Sequence, residues 1–382
     1  TAKTLVFSAV GYKSVEKAIS GTTVDASLEV AQSNLNEVVV VGYGTRKVKD
    51  LTGSVVSLTE KNFNKGIISS PEQLLQGRTA GVTVTTASGE PGAGVSINIR
   101  GTASVRSSNN PLFVVDGVPL DGGGTTGGGI FIEGNSSAKN PLSFINPNDI
   151  ESISILKDAS SAAIYGARGA NGVVIITTKS GKGKGGFNFS MNTSLSKTAK
   201  RYDVAGAQEF MYGVKQAVIA SGVPAADASV AVASLDKGFN TDWQDQIFQT
   251  GASKNYNLSW GFSKKGTALR LSGSYDDQQG IVKTTDLKRA TLRANLSQQV
   301  TDKLKFDATF NYSNIRNSYA AITNNAGYQG SLIGAAISFN PTFPVYNADG
   351  TFFDNADNNR NPVEILNYYK DNDAINRILT NL

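Results

Sequence analysis

From Phe187 onward the chain alternates apolar and polar residues with a period of two, and no other property restricts its fold as severely. Phe187, Phe189, Met191 and Leu195 fall on one side of an extended backbone, and Asn188, Ser190, Asn192 and Ser194 on the other. The pattern returns in Tyr256, Leu258, Trp260 and Phe262, in Leu269, Leu271 and Tyr275, in Leu292, Ala294 and Leu296, and in Phe306, Ala308, Phe310 and Tyr312. The opposite faces carry Arg270, Arg293, Asn295, Asp307, Thr309 and Asn311. Segments of about 10 residues, apolar outward and polar inward, are what a membrane-spanning barrel strand requires, because lipid covers one side and a wet lumen the other. The connections alternate too. Residues 263–267 and 301–303 are short turns, whereas 198–253, with an amphipathic helix over 208–220, and 278–289 and 316–373 are long. Outer-membrane barrels join strands by short periplasmic turns and long external loops, a regularity that a soluble β-sandwich has no reason to show. Five strands are complete and 374–382 begins a sixth. The smallest barrels have about 8 strands, and only those of about 22 leave room for a plug. The 382 residues are therefore expected to be the front part of a longer polypeptide.

Composition removes most catalytic alternatives. The chain has no cysteine and no histidine, which excludes a disulfide framework, a Cys/His zinc site and the Ser-His-Asp and Cys-His nucleophiles. The run Gly181-Lys182-Gly183-Lys184-Gly185-Gly186 fits a dinucleotide fingerprint in letters only, since a strand and not a helix follows it. Ser154-Ile155-Leu156-Lys157 and Ser14-Val15-Glu16-Lys17 both fit S-x-x-K without the accompanying motifs. No spaced carboxylate pair stands out, and Asp276-Asp277 reads as solvated charge at a strand end. We expect no enzymatic activity, no catalytic residue, no cofactor and no metal ligand. The formal charge of +5 is spread along the chain, and Lys179, Lys182 and Lys184 read as a solvated linker, so no nucleic acid is expected. No stretch of about 20 apolar residues is present to form a membrane helix. Thr1 lies inside a strand-like segment, so an export signal is expected to have been removed or to lie upstream.

The first half is organised differently. Residues 1–30 read as the last strands of a small β-sandwich, and 31–36 as a polar linker. The four valines Val38–Val41 strongly favour an extended backbone. Two readings stand level: an ordinary buried strand, or, given the linker before it and the charged residues 46–50 after it, a tethered strand for addition to a partner's sheet. Residues 51–180 read as a mixed α+β domain. A short helix starts at Ser70-Pro71-Glu72 and ends at Gly77; strands follow over 82–86, 95–100, 112–115, 150–156 and 172–178, with a turn at Asp116-Gly117 and a helix over 158–165. Residues 181–186 read as a hinge.

Several stretches resemble the SusC/RagA-type TonB-dependent outer-membrane transporters. They are 75–82 (Leu-Gln-Gly-Arg-Thr-Ala-Gly-Val), 97–101 (Ile-Asn-Ile-Arg-Gly), 111–119 (Pro-Leu-Phe-Val-Val-Asp-Gly-Val-Pro) and, above all, 150–179, from Ile150-Glu151-Ser152 to Thr177-Thr178-Lys179. Residues 36–44 are similar to that family's TonB-box segment, 242–248 to an early stretch of its barrels, and 1–30 to the end of its carboxypeptidase-regulatory-like domain. The resemblance implies a mainly β protein: an α+β plug over 51–180, a hinge over 181–186, and the first five to six strands of a large antiparallel transmembrane barrel over 187–382, about 22 strands when complete. It implies TonB-dependent import of a bulky nutrient, an oligosaccharide or an oligopeptide, across the outer membrane of a Gram-negative bacterium, with the plug and N-terminus on the periplasmic side. Implied partners are TonB, a SusD-type surface lipoprotein as lid, outer-membrane lipid, and the assembly machinery during biogenesis. A siderophore or cobalamin receptor, and a truncated barrel captured by that machinery, are the alternatives. The implied TonB-binding residues are Glu37, Val38, Val39, Val40 and Val41 in the segment 31–50. Arg100, Glu151, Lys157, Asp158 and Arg168 are expected to hold plug to barrel. Arg106, Ser107, Ser108, Asn109, Asn110 and Asp121 are expected to face substrate.

Overall fold

The structure is a computed structural model that describes residues 4–7, 15–18, 24, 26–27, 38–41, 44–47, 55–64, 68, 70–101, 109–120, 140–158, 162–182, 185–322, 331–354 and 360–382. Two short antiparallel ladders come first: β1 (Thr4–Phe7) with β2 (Val15–Ala18), and β3 (Val38–Val41) with β4 (Gly44–Lys47). In the second, Arg46 and Lys47 pair with Val39 and Val38, so part of the charged stretch expected to follow the strand as chain belongs to a ladder.

Seven strands follow: β5 (Val55–Thr59), β6 (Val82–Thr86), β7 (Val95–Ile99), β8 (Leu112–Val115), β9 (Val118–Pro119), β10 (Ile150–Leu156) and β11 (Val173–Thr178). β6 and β7 form a hairpin of their own, and the rest build a five-stranded sheet in the order β5-β10-β11-β8-β9. Only β11 and β8 run parallel. The apolar runs Leu112–Val115 and 173–176 are unbroken because both faces of this inner sheet are covered. Phe113, Val115, Val174 and Ile176 pack beneath the β6–β7 hairpin and Phe144. Leu112, Val114, Val173 and Ile175 pack against Ala162 and Tyr165 on the other face. The helix expected over 158–165 is instead a kinked 3-10 turn, Ala163–Gly169, because Gly166 sits at φ +62°.

The alternating region forms a six-stranded wall in sequence order, with every neighbouring pair antiparallel: β12 (Gly186–Ser196), β13 (Gly251–Lys264), β14 (Thr267–Gln279), β15 (Asp286–Gln299), β16 (Lys305–Tyr319) and β17 (Asp371–Asn381). Its register aligns Phe187, Trp260, Leu271, Ala294 and Phe310 in one row across five strands. Phe187 is 80% and Leu292 59% exposed on this outer face, a band of apolar surface that water would not tolerate and lipid would. The inward face is polar and buried: Asn255, Asp276, Arg289, Thr291, Arg293, Asn295, Asn311 and Ser313.

One long connection expected between strands is short. β14 runs to Gln279 and β15 starts at Asp286, leaving 280–285, because Asp276 and Gln278 are inward-facing strand residues and not the start of a loop. The connections 197–250 and 320–370 are long and carry the helices Ala207–Ala220, Ala225–Val232, Trp243–Ile247, Leu332–Ser338 and Pro362–Tyr368. They share a core at that end of the wall, with Trp243, Ile247, Phe339, Phe343 and Leu366 at its centre. Where the chain passes from inner sheet to wall, a Cβ on Gly181 would lie 2.4 Å from the Leu269 backbone, so only glycine allows that approach.

Candidate functional site

The inner sheet sits against the inward face of the wall, and the seam between them is polar along most of its length. Three arginines on two adjacent wall strands organise it. On β14, Arg270 donates to Asp149 Oδ1 at 3.1 Å, and Ser272 Oγ to the other oxygen of the same carboxylate at 2.9 Å. On β15, Arg293 pairs with Asp116 and donates to Thr178 Oγ1 at 2.6 Å. Asp116 is the first residue of the two-residue turn between β8 and β9, at φ +47°, and its carboxylate also accepts from Thr178 N at 2.9 Å. The turn that reverses the chain thus aims its carboxylate back at β11 and at the wall together. Asn295 Nδ2 donates to Lys179 O at 2.7 Å, and Asn381 Nδ2 to Asp116 O at 2.8 Å.

The third arginine closes a loop of contacts. Arg289 Nε donates to Asp276 Oδ2 at 2.9 Å and its Nη1 to Ser143 O at 2.9 Å. Asp276 and Arg289 are opposite one another in the β14–β15 register, and each is 1% exposed. Asn255 donates to the free oxygen of Asp276, Asn257 donates to Asn255, and Asn146 Nδ2 of the inner unit donates to Asn257 Oδ1 at 2.6 Å. The chain of bonds leaves the inner unit at Asn146, crosses three wall strands and returns at Ser143. Asp276 is therefore a buried ion-pair partner and not the solvated charge expected from its place near a strand end.

Glu72, in the 3-10 turn Pro71–Leu75, lies on the inner side of the same region and is 1% exposed. Its Oε2 accepts from Asn140 Nδ2 at 3.1 Å. Burial pushes its carboxyl up from 4.5 to about 7, against smaller opposing effects of a backbone hydrogen bond, Asn140, Ser70 and Arg289. Apolar contact across the seam comes from Leu287 and Ile315, which join the core of the inner unit, and from Ile375 and Leu379 of β17, partly buried against it. A cavity of about 300 Å³ opens there, lined by Ser70, Gln73, Glu90, Asn140, Ser143 and Arg289 among others.

Of the residues expected from sequence to hold inner unit to wall, those whose partners are seen bond within the inner unit. Arg100 and Asp158 pair with each other, both within the inner unit. Lys157 Nζ donates to Ala80 O at 2.5 Å, again within it. Glu151 and Arg168 are exposed. Arg100 follows β7 and Asp158 follows β10, so two segments far apart in sequence meet at one end of the inner unit, and the charges there answer each other. The residues that do cross the seam, Asp116, Asp149, Asn146, Arg270, Arg289 and Arg293, had a readable signal: charged or amide side chains at inward positions of the alternation, or in turns between inner strands.

Of the residues expected to face substrate, Asn109 and Asn110 precede β8 and Asn110 Oδ1 accepts from Ser96 Oγ at 3.2 Å. Arg106, Ser107, Ser108 and Asp121 lie outside the described residues, as does Glu37. Val38–Val41 has one edge occupied by Gly44–Lys47.

Comparison with known proteins follows the same division. Residues 47–173 match the family described as the TonB-dependent receptor plug domain. Over 351 residues, 91% of this chain and 32% of the relative, the chain is 39% identical to the TonB-dependent receptor SusC of Bacteroides thetaiotaomicron. It is 38% identical over 355 residues to the TonB-dependent receptor P26 of Formosa agariphila, covering 91% of this chain and 33% of that one. The chain thus spans about a third of the length of the curated relatives it matches. Among solved structures, the RagAB peptide importer in its open-open state is similar with a TM-score of 0.66 at 25% identity, over 86% of this chain and 38% of that chain.

Proposed function

This chain belongs to the SusC/RagA-type TonB-dependent receptors, outer-membrane proteins of Gram-negative bacteria, and on that premise we propose that it gates the active import of a bulky nutrient. In this reading 51–180 is the plug, 181–186 its hinge, and 187–382 the part of the barrel wall it leans on. Residues 1–30 close a carboxypeptidase-regulatory-like domain, and 31–50 form the TonB-binding segment, on the periplasmic side with the plug. The observation that carries the proposal is the seam itself. A separately cored unit rests on the inward face of a lipid-suited wall through ion pairs and hydrogen bonds, which water can replace once the two part.

The cargo is an oligosaccharide or an oligopeptide. The relatives are named as receptors and the structural neighbour as a peptide importer, and we assign this chain no enzymatic activity. A SusD-type lipoprotein serves as lid over the end of the wall where the two helical connections gather. Force enters through Val38–Val41. Main-chain hydrogen bonds of an added strand carry tension along the backbone while asking little of side-chain identity, and among the described residues no strand pairs with the edge of β3 opposite β4.

The test is co-purification of the full-length protein with the periplasmic domain of TonB. Val39→Pro removes a main-chain donor and should abolish the association while the protein still inserts in the membrane. Undiminished association would show that TonB is bound elsewhere.

A further inference from the structure

The inner unit is fastened to the wall unevenly. Among the described residues its side-chain bonds reach β14 to β17, through Arg270, Arg289, Arg293, Tyr319, Arg377 and Asn381 among others. A single one, from Asn146 to Asn257, reaches β13, and none reaches β12. The inward side chains of β12 are accordingly exposed or half-buried, whereas Asn311 and Ser313 on the same face of β16 are 2% and 0% exposed. The uncovered strip is uniform in its chemistry. The register pairs Asn188 with Ser259, Ser190 with Asn257, Asn192 with Asn255 and Ser194 with Ser253, so successive inward pairs are built of serine and asparagine alone. The adjoining strands carry charge at inward positions, Arg270 and Asp276 on β14, Arg289 and Arg293 on β15.

Cavities lie against this strip in the order of its residues. The first, of about 300 Å³, takes in Asn188, Ser190, Asn257 and Ser259. The second, of about 290 Å³, takes in Asn192 and Asn255, and the third, of about 300 Å³, Ser194, Ser196 and Ser253. The first two share Glu60, Asn148 and Lys179 in their linings. The Asp276–Arg289 pair stands between the second and the third, with Asp276 bordering one and Arg289 the other. From Asn188 to Ser196 is about 26 Å along the strand, at about 3.3 Å per residue. The series therefore runs from near the short turns to the long connections. The charged groups beside it are answered: Glu60 by Lys179, Asp149 by Arg270, Asp276 by Arg289, while Glu90 accepts from Ala320 N at 2.8 Å. Hydroxyls, amides and neutralised pairs exchange hydrogen bonds with a neutral solute at little net cost, but offer an ion no partner for the water it sheds.

We propose that the β12–β13 strip lines a polar passage beside the seated inner unit, filled with water and open to uncharged, hydroxyl-rich solutes of monosaccharide size. The inference rests on the plug reading given above and locates the route of the cargo on the side of the wall that the plug leaves unfastened. Each cavity has the volume of a small ligand pocket, whose range begins at about 300 Å³. Small serine and asparagine side chains keep the strip low, and their donors and acceptors replace those that a solute loses to water.

The chain has no cysteine, so single thiols report the passage in the full-length protein, held in open membrane fragments without an energy supply. Asn188→Cys, Asn192→Cys and Ser194→Cys sample the successive cavities, and Ser313→Cys, at a fully buried position of β16, is the reference. The probe is a methanethiosulfonate carrying one glucose unit, each rate being divided by that of a free thiol in solution. The strip variants should react about 100-fold faster than Ser313→Cys, or more. Reagents bearing a sulfonate or an ammonium group should each be slower than the glucosyl reagent at Asn192→Cys by about tenfold or more. Strip variants as slow as Ser313→Cys overturn the passage and leave the plug reading intact, since a seated plug covers the wall. Ser313→Cys reacting as fast as the strip variants shows that nothing is seated on the wall, and overturns the plug reading and the proposal with it. Charged reagents as fast as the glucosyl one refute the preference for uncharged solutes.

Discussion

Arg293→Met offers the cleanest trial of how the seam is held. Arg293 is 3% and Asp116 15% exposed, so the pair is dry enough that removing one partner leaves a charge with nothing comparable to replace it. Breaking such a buried pair costs about 3–5 kcal/mol. The structure places the two single variants at different ends of that range. Without Arg293, Asp116 keeps the Thr178 amide at 2.9 Å and the Thr178 hydroxyl at 2.9 Å, which points to about 3 kcal/mol, roughly a 150-fold loss of seating. With Asp116→Asn the guanidinium is the stranded group, and its Nε and Nη1 already lack partners among the described residues, which points to about 5 kcal/mol. Asparagine tolerates the left-handed turn conformation at φ +47°, so the turn itself is not strained by the change. The double variant removes both charges and should recover most of the loss, because a buried pair exchanged for neutral groups is often nearly neutral. The assay is the urea midpoint for protease sensitivity of the plug in full-length, membrane-inserted protein. Single variants within about 0.5 kcal/mol of the parent, or a double variant whose loss is the plain sum of the two, would refute the buried-pair account.

Two further outcomes are expected. Leu258→Lys puts a charge at the middle of β13 on the outer apolar face and should cost about 2–4 kcal/mol in a folding titration into lipid, against little for the same change at the exposed turn residue Asp302. Trp243→Ala removes a buried ring that stands edge-on to Phe339 at 4.8 Å and donates Nε1 to Asn340 O at 3.0 Å; a loss of about 3–5 kcal/mol should appear as protease cleavage within 197–250 and 320–370, with plug release unchanged.

The strand wall was legible because lipid and lumen impose opposite demands on successive residues. Phe187, Leu258, Leu271, Leu292 and Phe310 could be assigned outward on that basis alone, and the register bears the assignment out. The same physics hid the end of β14. A polar residue marks the close of an ordinary strand, but in a wall with a polar inner face Asp276 and Gln278 continue the ladder, so the loop expected over 278–289 contracts to 280–285. Inside the plug, local patterns found strands, the proline-initiated turn at Pro71 and the Asp116-Gly117 reversal. They could not find partners. Arg100 and Asp158 stand 58 positions apart and meet only through the sheet; Asp116 reads as a turn former and serves equally as an anion. Glu72 reads as a first-turn acid on a short helix, and only the packing shows it buried beside Asn140.

These contacts also answer how one interface can resist mutation yet open on demand. Cutting a single partner from Arg293–Asp116 or Arg289–Asp276 leaves the other charge buried, and the cost of several kcal/mol is the cost of that solitary charge. Lifting the plug away leaves no charge buried. Both members of every pair reach water, and each protein hydrogen bond is exchanged for hydrogen bonds to solvent at a net cost of about 0.5–1.5 kcal/mol. An apolar seam of similar extent would behave in the opposite manner: single substitutions would be tolerated by repacking, whereas separation would expose every buried square ångström at about 25 cal/mol. The apolar contact of the wall with the plug core comes from Leu287, Ile315, Ile375 and Leu379, and the ion pairs and amide bonds make the remaining contacts polar. A seam built this way keeps its register strictly while seated and parts at little cost, the combination that the proposed gating requires.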